Sequence, residues 1–326
     1  MSSQLTLAKT RLGRSALQVS PLGFGTSAIG DMPDSYGYAV NETRARATLR
    51  AIFAGPAQLI DASRNYGMGR SEQRIGAVLA EIGGLPEGFV LSTKLDRDFE
   101  TSRFDAGRAR RSLEDSLKAL GLSRVHILHL HDPEHCASLE EVTAKTGPIA
   151  ELFKMKAEGL CDAVGLAAGK VDIMTPLLLD WDFDALITHN RFTLVNRNAE
   201  AMIDLAVSRG TAVLNAAPYA GGVFAKGSAS FPRYAYQEAS AAMLAPVAQV
   251  EAICARHAIP PGAAALQFSM RDRRVTATIC GVSKPERVAE TLAWAAHPIP
   301  QAAWDDLAAI RPSTDDPEAT RRYTMG

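Results

Sequence analysis

The sequence predicts an α/β fold: one domain over residues 1–326, built as a (β/α)8 TIM barrel with an N-terminal hairpin and a long loop after the seventh strand. Three observations lead there. Eight short apolar strand-like segments alternate with amphipathic helix-like segments. Polar residues suited to chemistry stand at the far ends of several of those strands, where barrels carry their sites. At 326 residues the chain also has the length at which such barrels fold as one unit. Strands each followed by a helix imply a parallel sheet with right-handed crossovers, and eight of them close most simply as a barrel. An open doubly wound sheet would want a Gly-x-Gly-x-x-Gly turn after its first strand, and Gly23-Phe24-Gly25 leads to no such helix.

Taken in order, residues 9–20 read as a short hairpin turning at Arg14-Ser15, suited to plug the bottom of a barrel. The first strand is Leu22–Thr26. Asn41 is a helix start of the capping type for a helix over Thr43–Phe53. Leu59–Asp61 is the second strand, and the helix-like run Ser71–Leu79 follows it. After the third strand, Phe89–Lys94, Ala106, Ala109, Leu113, Leu117 and Leu120 recur at helical spacing with Gly121 as a C-cap. Val125–His131 is the fourth strand, followed by one helix over Val142–Ala157. The fifth and sixth strands are Ala163–Ala167 and Ala185–His189, with a helix over Asn198–Ser208. Ala212–Asn215 is the seventh and Ala277–Cys280 the eighth. Between these two lies Gly221–Ser240, polar and aromatic, with three glycines, Pro232 and two tyrosines. It exceeds ordinary connections and is expected to be a cofactor or substrate lid rather than a tolerated insertion.

A formal net charge of −1, from 35 Lys+Arg against 36 Asp+Glu, sets up no field to recruit nucleic acid or an anionic membrane. A small-molecule partner is the expectation that remains. Cys136, Cys161, Cys254 and Cys280 are scattered without a Cys-x-x-Cys pair, which predicts buried thiols rather than a disulfide framework. The N-terminal residues lack the apolar segment of a signal peptide, and no apolar run reaches the length of a membrane span. A cytoplasmic location is expected.

The chemistry concentrates in Asp61-Ala62-Ser63-Arg64-Asn65-Tyr66-Gly67, which closes the second strand. Lys94, His131 and Asn190 mark the ends of the third, fourth and sixth. Each alone has an ordinary structural explanation. Asp61 can cap a turn, Lys94 can snorkel from a strand end, and His131 can be a core histidine satisfied by backbone. Together they form a proton-transfer set. A tyrosine has a pKa of about 10 and is a poor acid or base at neutral pH. A lysine ammonium at about 4 Å contributes roughly 4 kcal/mol at an effective dielectric of 20, enough to lower the phenol by up to about three units. Burial opposes that shift. Asp61 would hold Lys94 charged, and His131 would hydrogen-bond the reacting oxygen.

The spacing of Asp61, Tyr66, Gly67 and Ser71-Glu72, with Leu12-Gly13-Arg14, Pro21–Thr26 and Pro285-Glu286-Arg287, resembles the aldo-keto reductases over nearly the whole chain. The resemblance implies an NAD(P)-dependent oxidoreductase with Tyr66 as general acid/base, tuned by Asp61 and Lys94, and with His131 orienting the substrate carbonyl. The assignment to His131 rests on the Asp132-Pro133 that follows it. Leu128-His129-Leu130-His131-Asp132 and Asn215-Ala216-Ala217-Pro218-Tyr219 are most similar to the branch that oxidises L-fucose, D-threo-aldoses or L-galactose at C1. The same resemblance implies cofactor contacts at Gly25, Thr26, Asn190, Gly281, Ser283, Lys284 and Arg287, with NADP as cofactor and NAD also accepted. Gly281 takes the place of the usual Lys, while Arg287 remains. Asn65 and Tyr219, with Tyr36 and Tyr38, are the expected substrate contacts. The chain departs from the family pattern where Ala167-Ala168 replaces Ser-Asn and where Ala216 replaces a Tyr stacked on the nicotinamide.

Chemically close alternatives are an NADPH-dependent aldehyde or ketone reductase and a pyridoxal 4-dehydrogenase. A metal-dependent hydrolase would use His126, His129, His131 and His135, but no third ligand has a defined spacing, and Lys94 and Tyr66 would be idle. No metal is therefore expected. A non-catalytic cofactor-binding regulatory subunit would not need the intact Asp61-Tyr66-Lys94-His131 set.

Overall fold

A computed structural model describes residues 7–321 of the protein. Thr10–Arg11 (β1) and Gln18–Val19 (β2) pair as an antiparallel hairpin. Eight parallel strands then close a barrel: β3 Leu22–Gly25, β4 Leu59–Asp61, β5 Val90–Leu95, β6 Ile127–His131, β7 Ala163–Ala167, β8 Ala185–His189, β9 Ala212–Ala216 and β12 Val275–Gly281. Side chains alternate along each strand, so every second residue points into the barrel. Leu59, Val90, Ile127 and Ala163 form part of the bottom interior layer, in one buried cluster with Leu12 and Val19 of the hairpin. The hairpin is therefore the plug expected of residues 9–20. Its turn depends on Gly13 at φ +52°, where a Cβ would stand 2.4 Å from the Asp184 carbonyl oxygen.

The outer helices bury one apolar stripe each against the strands. Glu42–Phe53 begins where Asn41 accepts from the Arg44 N–H at 2.9 Å, and it buries Ala45, Leu49 and Ile52. Ala106–Leu120 starts at Asp105, which accepts from the Arg108 N–H, and stops at Gly121 with φ +68°. The segment expected as one helix over Val142–Ala157 is two, Leu139–Thr143 and Pro148–Ala157. Pro148 has no N–H to donate and pushes Gly147 out of the helical region, here to φ −85° and ψ −176°.

Residues 221–240 are ordered rather than irregular. The short helix Val223–Lys226 and the hairpin of β10 (Arg233–Tyr234) with β11 (Gln237–Glu238) fold over the rim of the barrel. Arg233 ties them down by donating to the carbonyls of Ser35 and Tyr236. Residues 313–321 also cross this end of the barrel, an arrangement with no periodic signal in the sequence. Arg197 N–H donates to the Ser313 carbonyl, Gln237 donates to the Pro317 carbonyl, and Arg191 pairs with Asp316 at 2.6 Å. No helix among the described residues is long and apolar enough to cross a membrane. All four cysteines are unbridged thiols, and all but the half-buried Cys136 are buried.

Candidate active site

Closure of the barrel brings Asp61, Lys94 and His131 to one arc of its C-terminal rim. The register opposes Asp61 to Ser92, Lys94 to His129, and His131 to Ala167. Lys94 is 1% exposed, and all three of its ammonium donors are used. They go to Asp61 Oδ2 at 2.7 Å, the Ala62 carbonyl at 2.7 Å and the Tyr66 hydroxyl at 3.0 Å. Ser92 Oγ donates to Asp61 Oδ1 at 3.0 Å, so both carboxylate oxygens are occupied. Because Lys94 donates to the phenol oxygen, the proton of Tyr66 is directed away from it.

The turn that presents Tyr66 is built by backbone contact. Gly67 adopts φ +63°, and a Cβ there would lie 1.9 Å from the Gly30 carbonyl oxygen, so only glycine fits. Thr26 locks the same turn. Its hydroxyl donates to the Asp61 carbonyl at 2.9 Å and accepts from Ser71 Oγ at 2.7 Å. Thr26, expected at the cofactor, is wholly buried and its hydroxyl is committed to this bracing.

The Tyr66 phenol is pushed well above its ordinary pKa, first by burial and then by the Asp61 carboxylate. That reverses the lowering expected from Lys94. The physical reason is that the Asp61 charge offsets the Lys94 charge, which leaves desolvation of the phenolate dominant. Tyr66 is therefore a protonated hydrogen-bond donor at neutral pH.

His131 is buried beside Tyr66, with ring centroids 6.0 Å apart in an edge-on arrangement. Its Nδ1 lies 2.6 Å from Asp96 Oδ1 and 3.1 Å from Ser63 Oγ, and its Nε2 lies 3.6 Å from Asp132 Oδ1. Burial alone would lower its pKa. The Asp132 and Asp96 carboxylates overcome burial and raise it. Neither Ser63 nor Asp96 was singled out from the sequence. The available signal was strand alternation, since each lies two residues beyond a site residue, Asp61 and Lys94 respectively. His129 shares the inward face with His131 but sits one layer lower. Its ring fills the space a Cβ at Gly165 would need, 2.1 Å from such an atom. Burial, then Lys94 and His131, hold its pKa well below the ordinary value, so it is neutral. No group of three metal-ligating side chains occurs among the described residues.

These groups open onto a cavity of about 120 Å³ lined also by Tyr36, Asn65, Asp132, His189, Tyr236 and Arg321. Asn65 is thus at the pocket, where its backbone N–H also donates to Asp96. Tyr219 is not. It packs edge-on against Trp294 at 5.6 Å, with its hydroxyl 3.4 Å from Thr291, and lines a second cavity instead. Asn190 is wholly buried, and its amide donates to Glu318 at 3.0 Å. It is turned toward the C-terminal segment and does not line the catalytic pocket. Tyr236, with φ +66°, stands between the two cavities and meets Tyr36 edge-on at 5.6 Å. The composition of residues 221–240 marks the segment as a rim loop, but nothing local distinguishes Tyr236 from Tyr234.

From the second cavity a cleft continues past Tyr38 to Arg44, Lys226, Ser283, Lys284 and Arg287. Four cations thus gather at one end of an elongated track whose other end is Tyr66 and His131. The Lys226 ammonium lies over the rings of Phe231 at 3.6 Å and Tyr38 at 4.1 Å. Burial, then Arg287, Arg233, Arg44 and Lys284, push its pKa down to about 8. Beyond the effect of burial, an ammonium set among Arg44, Lys284 and Arg287, with no carboxylate among the described residues lining the cleft but Glu286, makes a place suited to an anion. Arg44 donates to the Ser283 carbonyl and hydroxyl, and Arg287 donates to the Ala225 carbonyl. The rim between the two ends carries Ala167, Ala216, Gly281 and Gly25, none larger than a methyl, and a Cβ at Gly281 would meet nothing within 4 Å. A small-residue floor leading to a cation cluster fits a planar ring linked to a phosphorylated tail. Arg44 and Lys226 join the expected Ser283, Lys284 and Arg287 there.

The model of the aldo/keto reductase family matches residues 21–312. The chain is 28% identical over 321 aligned positions to a D-threo-aldose 1-dehydrogenase of a Pseudomonas species, covering 90% of this chain and 95% of that protein. It is 27% identical over 338 positions to pyridoxal 4-dehydrogenase of Microbacterium luteolum, covering 92% and 96%. Among solved structures, an aldo-keto reductase of Bacillus halodurans in its holo form superposes with a TM-score of 0.75 at 19% identity, covering 97% of this chain and 100% of that one. At that identity the likeness is one of fold.

Proposed function

The chain belongs to the aldo/keto reductase family of NAD(P)-dependent oxidoreductases, and from that premise we propose that it transfers a hydride between the nicotinamide and C1 of an aldose, with Tyr66 as general acid/base. The observation that carries this reading is the Asp61–Lys94–Tyr66 cluster opening, beside His131, onto a pocket that also carries the polar side chains of Asn65, Asp132 and His189. The D-threo-aldose 1-dehydrogenase relative supports a sugar. Asn65, Asp132 and His189 offer a polyol both donors and acceptors, whereas a purely aromatic wall would favour a flat aldehyde. When bound, the nicotinamide supplies or accepts the hydride. The protein's own part is to carry the proton at the Tyr66 oxygen, hold that oxygen against Lys94, and orient the substrate oxygen with His131. Tyr236 is proposed as the aromatic contact at the nicotinamide end that Ala216 does not provide.

The second reading is oxidation of pyridoxal or reduction of simple aldehydes, supported by the pyridoxal 4-dehydrogenase relative and by Tyr36 and Tyr236 at the pocket. Steady-state rates separate the two. Purified protein with NAD⁺ or NADP⁺ should reduce the cofactor with one or more aldoses at millimolar concentration. If no aldose reacts while pyridoxal or aldehydes turn over readily, the sugar reading is wrong.

We expect NADP to be preferred and NAD also used. Arg287→Ala and Lys226→Ala should each weaken NADP binding about 10–100-fold, the loss of one charge-assisted contact, and leave NAD nearly unchanged. Fluorescence titration of both cofactors measures this, and equal losses for the two would reject the assignment of these cations to the 2′-phosphate.

A further inference from the structure

We propose that Asp96 is a positioning residue that holds His131 as a doubly protonated imidazolium, whose Nε2–H is then the donor facing the reacting oxygen. The proposal rests on the reading of Tyr66 and His131 as the pair that meets the substrate.

Asp96 lies just past β5, wholly buried, with its carboxylate fully engaged. Oδ1 meets His131 Nδ1 at 2.6 Å, and Oδ2 accepts from Ser63 Oγ at 2.8 Å and from the Asn65 N–H at 2.9 Å. A carboxylate receiving this many donors is held ionised and can only accept. The proton between Oδ1 and Nδ1 therefore resides on the nitrogen. Ser63 Oγ is also within 3.1 Å of Nδ1, but its single proton goes to Asp96, so it too can only accept there. The Nδ1 proton is committed away from the pocket.

That commitment has a consequence for the other nitrogen. A neutral ring in this tautomer would present a lone pair at Nε2 and could not donate to a carbonyl oxygen. Only the imidazolium donates from both nitrogens. A second carboxylate, Asp132, stands 3.6 Å from Nε2, and its backbone is held at φ +43°, a conformation that disfavours most side chains. The opposing charge is Lys94, already paired with Asp61. Arg321, which lines the same cavity, and Arg97, whose charge reaches His135, are permanent cations that the two carboxylates also act against. His129 and His135 have pKa values lowered chiefly by burial, and Tyr66 remains a neutral phenol. His131 is raised and Asp96 lowered by their mutual attraction, against burial in both cases. In carbonyl reduction the Nε2–H stabilises the developing negative oxygen while the proton itself comes from Tyr66. In alcohol oxidation it steadies the same oxygen as Tyr66 takes the proton. His131 keeps both its protons throughout.

The test is NMR of the full chain with ¹⁵N-labelled histidine between pH 5 and 9, with His131 assigned by its loss in His131→Gln. Wild-type protein should show both His131 nitrogens protonated at pH 7. Asp96→Asn should lower that titration by at least about one unit. It should also cut kcat for carbonyl reduction about 10–100-fold at pH 7.5, recover most of the loss at pH 5.5, and leave cofactor affinity unchanged. A merely structural role would instead lower activity equally at every pH. Should Asp96→Asn fail to fold, the wild-type spectrum still decides, and Ser63→Ala should give a smaller shift of the same sign. A neutral His131 at pH 7 in wild-type protein, beside a His131→Gln variant that has lost turnover, would overturn this proposal alone. Unchanged turnover in His131→Gln would overturn it together with the reading of the site on which it rests.

Discussion

Tyr66→Phe should lower turnover about 10²–10⁴-fold while cofactor affinity stays nearly unchanged, because the substitution removes one hydroxyl and the proton it carries. Stopped-flow and equilibrium titration with the same protein separate the two effects. The hydroxyl accepts from Lys94 at 3.0 Å and its own proton is directed away from that ammonium, so no other group replaces it in line. The pH dependence in wild-type protein should follow from the phenol's high pKa. Below that value Tyr66 is already the acid, so carbonyl reduction should vary little with pH on its account. Oxidation needs the rarer phenolate and should accelerate with pH without levelling off at neutrality. A Tyr66→Phe variant with near-normal turnover would remove the whole mechanism.

Lys94→Met should cost more stability than any other single change in the site, and it should also abolish most turnover. It leaves Asp61, 3% exposed, as a buried carboxylate held by Ser92 alone among side chains. Breaking a buried pair from one side costs about 3–5 kcal/mol. Scaled to a domain of this size, that is a fall in Tm of roughly 4–7 °C. The double variant Lys94→Met/Asp61→Asn removes the uncompensated charge and should recover part of the Tm, while turnover stays low. Thermal melts and steady-state rates on the two variants check this. A single variant as stable as wild type would show that the pair contributes nothing to the fold, and equal recovery of stability and turnover would place Lys94 in a purely structural role.

The alternation of strand and helix was legible because it is local. Leu59–Asp61, Ala163–Ala167 and Ala185–His189 have the same boundaries in sequence and structure, and Asn41 and Gly121 mark helix ends through bonds made within a few residues. The helix expected over Val142–Ala157 failed for a local reason too, since Gly147-Pro148 interrupts it and outweighs the apolar spacing on either side.

The sequence by itself determined the barrel, the plug and the strand ends on which Asp61, Lys94 and His131 stand, with Tyr66 in the turn that follows. Strand alternation and caps are set within a short window, and parallel strands in this number have one simple closure. Only the tertiary structure decided which partners those residues meet. Asp96 reaches His131 across 35 positions, Lys226 joins Arg287 across the rim, and Glu318 draws Asn190 away from the pocket over 128 positions. It also moved Tyr219 to the second cavity and reversed the direction of the Tyr66 shift. A pKa depends on burial and on every nearby charge together, and burial exists only once the barrel has closed and residues 221–240 and 313–321 have folded over its rim.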